Sequence, residues 1–107
     1  MKPLVVAAAG MAIALVAAAA GAKPASQTAV VNVDKLAFGT VPTNLHVGDS
    51  VIWANLDLFR HSATASGHFD VDLQPGSRRR MLLTKAGVFP FTCKYHPGMK
   101  GVLKVSQ

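Results

Sequence analysis

The chain of 107 residues contains no glutamate, and its only acidic side chains are five aspartates. Eleven Lys and Arg stand against them, giving a formal net charge of +6. The chain has a single cysteine, Cys93, which cannot close an internal disulfide. Charge is missing altogether from Pro3 to Ala22, a run bracketed by Lys2 and Lys23. The run has Leu4-Val5-Val6 and Ile13-Ala-Leu-Val16 at its apolar centre and ends in the small-x-small pattern Ala20-Gly-Ala22. That pattern reads as a secretory signal peptide over residues 1–22. The rival reading is an uncleaved anchor, since twenty apolar residues just span a bilayer, but alanine is only weakly hydrophobic. No cysteine follows the run, which excludes a bacterial lipoprotein anchor, and no Arg-Arg precedes it, which argues against the twin-arginine route. Residues 23–107 then form one small domain. With Lys2 removed, ten Lys and Arg face five Asp, leaving +5. No internal repeat or low-complexity tract interrupts it. No aromatic stacking pattern accompanies the arginines, which argues against nucleic acid.

What is present concentrates in Phe91-Thr-Cys-Lys-Tyr-His-Pro-Gly-Met-Lys-Gly101. Cys93, His96 and Met99 place a thiolate, an imidazole and a thioether within seven residues. A lone cysteine in an exported chain calls for a reactive thiol or a metal. Thiolate plus two imidazoles with a weak axial Met suits copper in an electron-transfer site. The loop supplies one imidazole, so the second must come from elsewhere. His61, which follows the apolar run Val51-Ile-Trp-Ala-Asn-Leu56, is the best candidate. The bland alternative is a buried free cysteine with incidental neighbours.

The rest of the chain alternates with a period of two. Ala29, Val31 and Val33 share a face in Thr28–Asp34, which predicts a half-buried strand. Further strands are predicted at 45–47, 51–56, 61–65, 69–73, 78–84, 88–93 and 101–106, with 35–40 continuing the first or bending away at Gly39. Gln74-Pro-Gly-Ser77 is the clearest turn. In Val88–Cys93, the alternation that buries Phe89 and Phe91 also aims the thiol inward. Trp53 reads as a core residue. Seven or eight short strands with frequent turns, and no ten-residue helical period, predict an all-β sandwich.

The pattern C-x2-H-x2-M-x-G from Cys93 to Gly101, preceded by Gly48-Asp-x-Val51-x-Trp53-x-Asn55 leading to His61, resembles the cupredoxins. It is closest to the plastocyanin/amicyanin group of type 1 blue copper proteins, and its short ligand loop is amicyanin-like. The resemblance spans about Val30 to Val105. It implies a Greek-key β-sandwich and one copper per chain, cycling between Cu(I) and Cu(II). His61, Cys93 and His96 would be equatorial ligands and Met99 the weak axial one. It also implies an electron port at the edge of His96, within an apolar patch of Pro42, Leu58, Phe59, Pro97 and Gly98. The sequence departs from that pattern in four places. Ser62 stands where relatives usually carry Asn, Thr92 where an aromatic is frequent, Tyr95 where Pro is frequent and Gly98 where the loop is usually bulky.

Three functions compete on these residues. An electron carrier needs one type 1 copper and nothing else. A copper enzyme needs more metal, and Thr92-Cys93-Lys94 lacks the flanking histidines of a His-Cys-His pattern; a binuclear centre needs a second cysteine. A periplasmic copper-binding or trafficking protein would favour Met- or His-rich clusters, yet after residue 22 only Met81 and Met99 remain. The expectation is therefore a non-enzymatic, periplasmic, monomeric one-electron carrier, without stable membrane insertion once the signal is cleaved. Its basic surface favours an acidic redox partner such as a c-type cytochrome, an oxidase or a dehydrogenase. His46 and His68 read as surface or structural. Arg78-Arg-Arg80 reads equally as a docking patch or as a basic edge that resists strand pairing.

Overall fold

The computed structural model describes residues 25–107. The expected signal peptide is thus outside the described residues, as is its junction at Lys23. Among the described residues there are nine strands: β1 (Thr28–Asp34), β2 (Ala37–Phe38), β3 (Leu45–His46), β4 (Ser50–Asn55), β5 (His61–Ala65), β6 (Phe69–Leu73), β7 (Arg78–Leu82), β8 (Gly87–Thr92) and β9 (Lys100–Ser106). They form two sheets, ordered β2-β1-β4-β7 and β3-β9-β8-β5-β6. There is one strand more than the periodicity predicts. The extra one is β2, which folds back on β1 through a two-residue turn at Lys35–Leu36, with Asp34 paired to Ala37. Nothing in the Lys-Leu pair signals a turn, so the sequence reads there as continuing or bending later.

The alternation has the predicted effect. Along β1 every second residue, Ala29, Val31 and Val33, is buried, and β1 lies parallel to β4 in register from Thr28 and Ser50 onward. From the facing sheet come Ala63, Ala65, Phe89, Phe91, Leu103 and Val105. Trp53 sits at the centre, fully buried, with the rings of Phe91, Phe38 and Phe69 at 5.1, 6.1 and 6.1 Å. Aromatic clusters of this kind carry much of the burial energy of a small core. Gly101 is required beside them, because a Cβ there would run into the Phe91 ring. At the open side, the edge strands β6 and β7 belong to different sheets. Arg79, on the inward-directed row of β7, donates to the Asp72 carbonyl at 3.3 Å and links the two.

β4, β5 and β8 matter most for the site. β5 starts, and β8 ends, at the same end of the sandwich, with Thr64 opposite Thr92. The strand periods that fill the core therefore deliver His61 and Cys93 to one place.

Candidate metal centre

His61 opens β5 on the same face as Ala63 and Ala65, and is fully buried. Cys93 follows the last residue of β8, on the face of Phe89 and Phe91, and is also fully buried. Beyond it the chain reverses in a tight loop. The His96 amide donates to the Cys93 carbonyl at 3.3 Å, and the Met99 amide donates to the His96 carbonyl at 2.9 Å. The Cys93 amide then donates to the Met99 carbonyl at 3.1 Å, closing the loop on its own start. Met99 is buried within it, and His96 is half-buried.

Cys93 Sγ lies 3.7 Å from His61 Nδ1 and 3.7 Å from His96 Nδ1. The two imidazole rings stand edge to face, 4.9 Å apart. One donor atom from each of the three residues falls within 4.8 Å of the others. Metal–sulfur and metal–nitrogen bonds of ~2.3 and ~2.0 Å, set at a trigonal angle, put the two donors ~3.7 Å apart. The observed spacing is therefore that of ligands sharing one ion, and the soft thiolate and two imidazoles fit one copper.

The polar groups around the three donors decide which atoms are free. Asp57 Oδ2 lies 2.8 Å from His61 Nε2 and accepts the Leu36 amide at 2.9 Å. The Leu36 amide and then His61 hold the Asp57 carboxyl below the usual carboxylate range. An ionised carboxylate can only accept, so His61 Nε2 carries the hydrogen and Nδ1 turns its lone pair toward Cys93. The Ser62 amide donates to Cys93 Sγ at 3.3 Å and so fixes the position of the sulfur between the two rings.

Ser62, which stands where the resembling family usually carries Asn, also bonds the cysteine loop. Its hydroxyl accepts the Lys94 amide at 2.9 Å, so it does reach across to the cysteine loop. The same hydroxyl lies 2.8 Å from Thr64 Oγ1, which donates to Asp70 at 2.9 Å. Lys94 Nζ meets Asp70 at 2.9 Å, closing a ring of bonds. Lys94 and then Thr64 keep the Asp70 carboxyl low. Because Asp70 can only accept, every hydroxyl in the ring points the same way, from Ser62 to Thr64 to Asp70. Tyr95 is fastened similarly, with the Arg60 guanidinium 4.8 Å and the Lys94 ammonium 5.8 Å from its ring, while Arg60 pairs with Asp72 at 2.8 Å. Such exposed pairs add little stability, but they set where the loop lies.

One more residue holds the site together. The buried Asn55 side-chain amide donates to the carbonyls of Phe59 and Leu73 at 2.8 and 2.9 Å, and its oxygen accepts the Asp57 amide at 2.9 Å. It pins the β4–β5 loop that carries Asp57, Leu58 and Phe59. Sequence reasoning assigns no role to Asp57 or Asn55. The one signal for Asn55 is its place in the run ahead of His61; Asp57, four residues before His61, carries none. Leu58 and Phe59 are exposed as expected, and the Phe59 ring lies 6.2 Å from that of His96. Pro97 and Gly98 are exposed, and Pro42 is half-buried in the β2–β3 connection. His46 and His68 lie outside the donor cluster; His68 packs against the Phe89 ring at 4.9 Å.

An all-β sandwich with a buried cysteine between two imidazoles is a cupredoxin fold with a copper-type donor set. Solved structures similar to it include amicyanin and a copper nitrite reductase. An oxidized methionine-to-leucine variant of amicyanin is 25% identical over 73% of this chain and 81% of its own, with a TM-score of 0.63. A Cu(I) form of a methionine-to-alanine variant is 24% identical over 78% of this chain and 87% of its own, also at 0.63. The Cu-containing nitrite reductase NirK from Thermus scotoductus is 27% identical over 80% of this chain, with a TM-score of 0.66. This chain spans only 23% of that enzyme's length. No protein-family model matches the chain, and the comparison with curated proteins gives no match.

Proposed function

We propose that this chain is a small exported blue copper protein that carries single electrons between redox partners. His61, Cys93 and His96 would hold one copper, and the Met99 thioether would be a further, weaker donor. The observation that carries the reading is the Sγ–Nδ1–Nδ1 triangle, formed by side chains already held in place. Copper supplies the one-electron Cu(I)/Cu(II) couple. The protein's part is to keep the donors still. Asp57 fixes the His61 tautomer, the Ser62 amide holds the Cys93 sulfur, and the Ser62–Thr64–Asp70–Lys94 ring ties the ligand loop to β5 and β6. Donors that do not rearrange keep the cost of a change of charge small.

The half-buried His96, beside exposed Phe59 and Pro97, offers the route to a partner. A copper-trafficking role is the alternative. The full burial of both Cys93 and His61 speaks against easy handover of the metal. The single donor cluster among the described residues favours a carrier over an enzyme. Export to the periplasm rests on the Lys2–Ala22 pattern, and no helix among the described residues is long and apolar enough to cross a membrane. The excess of basic residues favours an acidic redox protein as partner, with this chain acting as a monomer. Optical and EPR spectra of the copper-loaded protein test the reading. One Cu per chain and strong visible absorption, abolished by Cys93→Ser, are expected. A colourless protein with tetragonal EPR refutes it.

A further inference from the structure

At the end of the sandwich away from the donors, the two sheets leave a space between them. β6 and β7 are edge strands of different sheets. Nearer the donors the Arg79 side chain ties them together through the Asp72 carbonyl. Toward Phe69 and Leu82 no hydrogen bond among the described residues joins the two strands, and a cavity of about 250 Å³ lies there. Its walls are the buried side chains of Leu83, Phe89, Leu103 and Val105. Phe89 stands ~13 Å along the strand direction from Cys93, so this space is separate from the metal centre. Gly87 has φ of 151°, and a Cβ there would come within 3.0 Å of the Phe89 ring. Glycine at this position leaves the ring free to lie as a wall.

The mouth has different chemistry. His68 and Lys85, both exposed, border it from the β5–β6 and β7–β8 connections. The His68 ring is held edge to face on Phe89 at 4.9 Å. Neither the His68 ring nor the Lys85 ammonium has a carboxylate partner among the described residues. No acidic residue lines the cavity. Apolar walls with a few convergent polar groups at one side are the pattern of a small-molecule site. At ~30 Å³ for each water-sized group, the space takes a body of ~8 non-hydrogen atoms. An ammonium and an imidazole N–H, both donors, suit an anionic oxygen head at the mouth.

We propose that this cavity binds a small amphiphilic carboxylate. Its alkyl tail lies between Leu83, Phe89, Leu103 and Val105, and its head meets Lys85 and His68. None of these residues belongs to the donor cluster, so the inference goes beyond the electron-carrier reading.

The test titrates the copper-loaded mature protein, in its diamagnetic Cu(I) form, with octanoate and with 1-octanol. The methyl NMR signals of Leu83, Leu103 and Val105 should shift saturably with octanoate. Burial of its methylenes sets a Kd on the order of 0.1–1 mM. The terminal methyl of octanoate should give NOEs to Leu103. Val88 and Val102, 64% and 45% exposed on β8 and β9, face the other way, and their methyls should stay unshifted. Lys85→Gln should weaken octanoate about threefold, the scale of one exposed charge pair, and leave 1-octanol unchanged. Absence of saturation by ~10 mM overturns the inference, as do NOEs to Val88 or Val102 in place of Leu103. Equal octanoate affinity in the wild type and Lys85→Gln also overturns it, because the cavity then does not recognise the anionic head.

Discussion

Asn55→Leu is the substitution whose cost can be worked most directly from the structure. Leucine has the same branched outline but none of the three hydrogen bonds. The Leu73 carbonyl loses its buried donor, which costs about 1–3 kcal/mol as an unpaired polar group. The Phe59 carbonyl and the Asp57 amide are part-buried and turn to water, at about 0.5–1.5 kcal/mol each. Burying the leucine methyls returns about 1 kcal/mol. The net loss is about 3 kcal/mol, a large share of the ~4–12 kcal/mol expected of a domain this size. Urea unfolding of the apo protein, followed by fluorescence of the buried Trp53, measures it. The midpoint temperature should fall by about 12 °C or more. The copper-loaded protein should lose colour faster, because the loop carrying Asp57 is no longer pinned. Asn55→Asp keeps the shape but faces two carbonyls with a carboxylate. Its defect should shrink in acid, where the protonated group can again donate to one of them. A loss below about 1 kcal/mol for Asn55→Leu would refute the claim that this side chain organises the β4–β5 loop.

Three further outcomes are expected. Met99→Leu should keep the blue colour and raise the reduction potential as Cu(II) loses a donor, while Met99→Gln, a harder oxygen donor, should lower it; unchanged voltammetry of both removes Met99 as axial ligand and turns attention to Met81. Arg78→Gln with Arg80→Gln should flatten the salt dependence of association with an acidic redox protein; an unchanged slope leaves these arginines as an edge device on β7. Asp49 accepts amides from Gln27 and His46 at 2.9 and 2.8 Å, which hold its carboxyl low. A depressed folded value means that its contribution is present above the ordinary carboxylate range and is lost as pH falls through the folded value. Acid unfolding of the apo protein should therefore be less steep in Asp49→Asn, and equal pH profiles would count against this role.

The sequence by itself determines most of the strands and points to the three residues of the observed cluster, His61, Cys93 and His96. A period of two is a local property: neighbouring side chains on a strand must face opposite ways. Hence β1, β5 and β6 fall where the alternation places them, and Phe89, Phe91 and Cys93 share one inward face. The cluster of His61, Cys93 and His96 is legible because two of its members lie in one short loop and His61 heads a strand of its own. What tertiary structure alone decides lies in contacts between segments far apart in sequence. The amide of Leu36 and the ring of His61 meet on Asp57 only because β1 and β4 run side by side. Ser62 accepts the Lys94 amide directly and is linked through Thr64 to Asp70, a network that exists only once β5, β6 and the ligand loop are assembled. The Lys35–Leu36 hairpin runs against local preference. Its left-handed backbone is held by Asp34 and by Asp57, the latter 21 residues beyond Leu36, and no local reading of Lys-Leu can find it.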